Sequence, residues 1–174
     1  MIANQYPIGD FSRAESYSKE ELDAFLNALK TFPDDLDLVL WDISDEQLNT
    51  AYREGGWTAR QVVHHLADSH MNMLVRLKWT LTEDTPKIKA YYEDRWANLP
   101  DYSLPISVSV SMLKGIHVKI VQILENLSDE ELNRKYFHPE SQKYWDLKTV
   151  MALYAWHGKH HLAHIKICKG EWKA

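Results

Sequence analysis

A chain of 174 residues with 45% hydrophobic side chains is long enough to bury one core and too apolar to be disordered. A net charge of −5 argues against a general nucleic-acid binder, and the single cysteine, Cys168, excludes an internal disulfide and fits a reducing compartment. Residues 1–12 lack the basic stretch and apolar run of a signal peptide, and no segment offers the roughly 18–20 uninterrupted apolar residues of a membrane span. The expectation is one cytoplasmic domain over residues 1–174, with neither nucleic acid nor membrane as a partner.

Capping boxes punctuate the chain, pairing a Ser or Thr with a Glu or Gln three residues on. Ser18 with Glu21 opens a helix over 18–30; Pro33 interrupts it, and Asp34 starts a second apolar segment through Leu36, Leu38, Val39, Leu40 and Trp41. Ser44 with Gln47 marks a short turn of helix, and Gly55-Gly56 breaks the chain. Thr58 with Gln61 opens a long helix to residue 82, with Trp57 placed as a hydrophobic staple. Residues 83–106 contain Pro86, Pro100 and Pro105, and a stretch of that length predicts a functional covering segment. A third long helix is expected over 107–126, and Ser128 with Glu131 caps a short one. Residues 136–145 read as a loop or short hairpin; Asp146 then caps a last helix over 147–169, ended by Gly170. Four long helices and no competing strand pattern predict an all-α, up-and-down four-helix bundle with one long connection.

Seven of the nine histidines fall in two windows, HHLADSH (64–70) and WHGKHHLAH (156–164). On a helix turning about 100° per residue, His157, His160, His161 and His164 share an arc of about 120° with Val150, Leu153, Tyr154 and Cys168. Burying four imidazoles on one apolar face is costly unless their nitrogens have partners, and neutral imidazole is the commonest metal-ligand nitrogen. Two ligands on one helix stand three or four residues apart, so His160/His164 and His157/His161 both qualify, with His157/His160 and His161/His164 as weaker pairs. On the earlier helix, periodicity does not choose between His65, at the flank of the apolar face, and His70, which points into it. His64 lies further round, away from the core, while Ser69, Asn72 and Arg76 continue the line of His65 as a polar stripe. His117 and His138 stand alone, and Cys168 reads as a small buried thiol. No HExxH is present, which argues against a zincin protease.

The segments GGWTARQVVHHLADSHMN (55–72) and YAWHGKHHLAHI (154–165) resemble the DinB superfamily, and within it the YfiT-like metal-dependent hydrolases. YPIGDF (6–11), LTEDTP (81–86) and FHPE (137–140) extend the resemblance over nearly the whole chain, while Gly158-Lys159 depart from the more histidine-rich run of the family. The resemblance implies a bundle carrying one divalent ion, zinc or nickel, on three histidines: the second of the HH pair and an HxxxH of the last helix, here His65, His160 and His164. It also implies a homodimer and a small-molecule substrate.

Three protein ligands leave coordination positions open, the pattern of a catalytic ion. Two chemistries use such a vacancy: hydrolysis by an activated water, or S-transfer from a low-molecular-weight thiol bound as thiolate. Arg76, along the face from His65, is placed to help an anionic substrate. A non-enzymatic metal- or ligand-binding module, and a histidine-rich bundle without an ion, are the other readings.

Overall fold

Every capping box read from the sequence forms. In a computed structural model, which describes residues 2–172, the side chains of Ser18, Ser44, Thr58 and Ser128 each accept the N3 backbone N–H, and the N3 side chain accepts theirs. After a short α1 (Ile2–Gln5), these boxes open α2 (Lys19–Leu40), α3 (Asp45–Leu48), α4 (Ala59–Thr82) and α7 (Asp129–Leu132). Between them lie α5 (Glu93–Trp96), a 3-10 turn at Pro100–Ser103 and α6 (Ile106–Leu124). The hairpin β1 (Lys135–His138) and β2 (Lys143–Asp146) leads into α8 (Leu147–Lys169), capped by Asp146 and closed by Gly170 at φ 76°.

One expectation is corrected. Pro33 does not divide the first helical region: α2 runs unbroken through it. Proline removes the N–H that would bond the carbonyl four residues earlier, here that of Leu29. That carbonyl finds another donor in His117 Nδ1 at 2.7 Å. Burial of Leu29, Phe32, Leu36 and Val39 along one face of α2 holds the two halves in line.

The segment 83–106 is not structureless. The Pro86 carbonyl accepts the Phe137 N–H, the Ile88 N–H donates back to the Phe137 carbonyl, and Ile88, Ala97 and Tyr102 are buried. The excursion is thereby tied to the hairpin and laid over the bundle.

The long helices α2, α4, α6 and α8 form the four-helix bundle. Its order departs from a plain up-and-down arrangement, in which consecutive helices lie side by side. Here α2 packs on α6 and α8, α4 packs on the same two, and the consecutive pairs α2/α4 and α6/α8 face each other across the diagonals. The connection holding α3, and the one holding α7 and the hairpin, make these diagonal crossings. By length and composition alone α6, with a mean hydropathy of 1.3, could cross a membrane; its Leu113, Ile116 and Ile120 lie in the bundle core, and Lys114 and Lys119 interrupt it.

The core divides into two apolar clusters. One gathers Leu29, Met73, Leu77, Ile120, Val150 and Tyr154; the other Phe32, Leu36, Val62, Leu66, Leu113 and Ile165. The histidines of α4 and α8 fall between the members of these clusters, so a polar layer crosses the middle of the bundle. Gly158 belongs to this layer: a Cβ there would sit 2.7 Å from the Phe32 ring, which stacks on His70 and His117. Gly158→Ala is therefore expected to destabilise the fold by about 1–3 kcal/mol through overpacking, measured by urea unfolding against the wild type.

Candidate metal centre

Helix α4 delivers His64, His65 and His70, all buried, and α8 delivers His157, His160, His161 and His164. His64 is not turned away from the protein as the helical wheel suggests. Its Nε2–H donates to the Leu104 carbonyl at 3.1 Å, and its Nδ1 accepts from the Ser109 hydroxyl at 2.7 Å. Both nitrogens are satisfied, so His64 fastens the end of the long excursion and the start of α6 to α4.

A carbonyl can only accept, and this sets the protons of the buried histidines in sequence. The Leu29 carbonyl requires a proton on His117 Nδ1. Burial pushes His117 down to about 4, so it is neutral at pH 7 and its Nε2 is a bare lone pair. That lone pair takes the His70 Nδ1–H at 2.7 Å. Fully buried His70 is likewise held far below its ordinary value, so its Nε2 accepts from His157 Nδ1–H over a longer 3.4 Å. The relay ends on His157 Nε2, a lone pair 3.3 Å from His65 Nε2. Phe32 covers the relay by stacking on His70 and His117, and the Tyr154 ring meets His70 edge-on.

A second carbonyl does the same from the opposite side. Gln5 accepts from His164 Nε2–H at 3.3 Å. Burial holds His164 at about 3, so its Nδ1 is a lone pair that takes the His161 Nδ1–H at 3.2 Å. His161, itself held well below its usual value by burial, therefore presents a lone pair on Nε2. Two backbone carbonyls thus make acceptors of the two histidines at i and i+4 on α8.

The structure gathers the sequence-predicted residues differently from the resemblance. Nitrogens of His65, His157 and His161 lie within 4.8 Å of one another. His160 and His164 group with His161 instead, and not with His65. Both nitrogens of His164 are engaged, one by Gln5 and one by His161, while His160 stacks flat on Trp156 at 4.5 Å with its Nδ1 buried and unpartnered. The opening YPIGDF segment packs here too, with Tyr6 beside His160 and the Gly9 carbonyl accepting from Trp156 Nε1.

The donor set fits a divalent ion. His65 is held at about 4 by burial, with the nearby His160 adding to the effect, so it too is neutral; its Nδ1 is buried without a partner. The bare Nε2 atoms of His157 and His161 gather with a nitrogen of His65, and at most one of the three facing nitrogens carries a proton, an arrangement that suits a cation. The 3.3 Å between His65 Nε2 and His157 Nε2 also matches the roughly 3.4 Å between two imidazole nitrogens on one tetrahedral zinc.

Above these nitrogens opens a cavity of about 330 Å³, reaching from Trp57, His65, His157 and His161 to Arg76, Tyr91 and His138. Sequence reasoning missed Tyr91 here and passed over His138 and His117 as lone histidines, because each reaches the site only through the fold. Arg76 and Ser69, read as a polar stripe, are buried.

A family model described as the DinB superfamily matches residues 15–165. A Bacillus cereus protein named "putative metal-dependent hydrolase" is 45% identical over 161 residues, spanning 92% of each chain. An Oceanobacillus iheyensis protein of the same description is 45% identical over 166 residues, 95% of this chain and 96% of its own. Among solved structures, YfiT from Bacillus subtilis, described as "a probable metal-dependent hydrolase with an unusual four-helix bundle topology", superposes with a TM-score of 0.93 at 40% identity, over 98% of this chain and 99% of its own.

Two outcomes follow from the buried imidazoles. Long-range 1H–15N spectra at pH 7 are expected to show His117, His70, His157 and His161 protonated on Nδ1, and His164 on Nε2. A His117 protonated on Nε2 would break the relay. Secondly, His65 and His117 at about 4 bind fewer protons when folded than the unfolded chain does at its ordinary 6.5. Stability of the metal-free protein is therefore full above about pH 6.5 and falls as pH drops from there toward 4, measured as the urea midpoint against pH.

Proposed function

The chain belongs to the DinB superfamily, and from the geometry of its histidines we propose that it is a metal-dependent hydrolase whose divalent ion, zinc or nickel, is held by His65, His157 and His161. The observation that carries this reading is the convergence of three neutral imidazoles, two of them committed as lone-pair acceptors by the Leu29 and Gln5 carbonyls. The names of the relatives agree with it. Three imidazoles suit either metal.

Held by His65, His157 and His161, a divalent ion would supply Lewis acidity toward a substrate oxygen and would lower the pKa of water. The protein's own residues do the rest. His70 and His164 hold the two α8 rings in orientation through Nδ1, as partners of metal-bound histidines do. Trp57 lies over His65, with ring centroids 4.6 Å apart, and limits water at that side. Tyr91 keeps its proton, because burial raises its phenol above the usual range, and so offers the cavity a neutral donor. His138 is lowered by burial and by Arg76, so it is uncharged at pH 7 and can exchange a proton with substrate.

Elemental analysis of the untagged protein is expected to give about one metal per chain. His65→Ala, His157→Ala and His161→Ala should each lose most of it, and His160→Ala should keep it. Loss in His160→Ala with retention in His157→Ala would return the site to His65, His160 and His164. Metal-dependent turnover of activated esters without thiol supports hydrolysis; turnover only with an added small thiol would make the protein a transferase.

A further inference from the structure

The stripe that begins at His65 continues along α4 through Ser69 and Asn72 to Arg76, which is only 8% exposed. Its guanidinium sits among aromatic side chains: the Tyr91 ring centroid lies 6.0 Å away, and the phenols of Tyr136 and Tyr154 are close enough to feel its charge. The terminal NH2 reaches the Lys89 carbonyl at a long 3.4 Å, and Nε is buried with no partner at all. Among the described residues no carboxylate lies within 4.0 Å of it. Tyrosine hydroxyls and a carbonyl orient a guanidinium without neutralising it, and a buried charge left in that state is costly. Arg76 lines the same cavity as His65, His157 and His161.

We infer that Arg76 is the anchor for a single carboxylate of the substrate, held at the end of the cavity remote from the three histidines. The flat fork of the guanidinium, on a residue that lines the cavity, matches a carboxylate edge. The backbones of Arg76 and His65 are eleven residues apart on one helix, about 16 Å along its axis, and the Arg76 side chain leans back over part of that distance, so the anion is separated by several bonds from the group acted on. Glu93 and Glu140 line the cavity as exposed residues and disfavour a second negative charge. The substrate class is thus a monoanion with its hydrolysable group toward the histidines and its carboxylate toward Arg76. The placement of the reacting group rests on the proposed metal centre; the carboxylate pocket does not.

The test uses 4-acetamidobutanoate, 5-acetamidopentanoate and 6-acetamidohexanoate, each against its uncharged primary amide. Calorimetric titration into the zinc-loaded protein is expected to show at least one carboxylate binding at least tenfold tighter than its amide. The Arg76 Nε–H resonance should move on binding. R76Q should abolish the preference, and R76K, which keeps the charge but not the fork, should retain part of it; circular dichroism checks that both variants fold. Repeating the titration after chelation separates the two readings, since a preference that survives without metal belongs to Arg76 alone. If no carboxylate outbinds its amide, or if folded R76Q or R76K variants leave the preference unchanged, the inference falls.

Discussion

The hydrogen bond from His117 Nδ1 to the Leu29 carbonyl is the point on which the centre of this molecule depends. It exists because Pro33 has no N–H to give that carbonyl, so a defect in α2 becomes an acceptor aimed into the core. From there the assignment of protons runs through His117 and His70 to His157, with no freedom at any step so long as the rings stay neutral. Burial keeps them neutral. A backbone irregularity on one helix thereby decides which nitrogen is bare on another.

The Gln5 carbonyl plays the matching part for His161 through His164, and comes from α1 at the opposite end of the chain from α8. The two relays differ in protection. Leu29 lies inside the bundle under Phe32, whereas Gln5 belongs to the opening segment that packs over the bundle's outside. The ordering of His161 is thus tied to the docking of residues before α2, and that of His157 to the interior alone.

Much of this was legible in the sequence. The capping boxes located the helix starts, and the crowding of imidazoles on one face of the last helix announced a buried histidine layer. The choice within that layer was not legible. His157/His161 and His160/His164 have the same spacing, and what separates them is the partner of each ring's second nitrogen. Those partners are His70, His164 and two carbonyls, and carbonyls have no sequence signature. Pro33 was read as a break because local propensity favours that, but burial on both sides of it outweighs the lost hydrogen bond. Arg76 was placed on the right stripe, but its burial was not legible, since residues 83–106 help to cover it.

The diagonal placement of consecutive helices has a consequence for how the chain comes together. Neither α2 with α4 nor α6 with α8 is a side-by-side pair, so no helical hairpin of sequence neighbours can form early from these two pairs. Two of the four lateral interfaces, α2 with α8 and α4 with α8, involve the helix made last. During synthesis the first three long helices leave open the trough that α8 will occupy, with Phe32 and His70 unshielded by it. Closure therefore waits on distant contacts, which slows folding relative to bundles of adjacent hairpins, and the histidine layer is completed in the same event that seals the core.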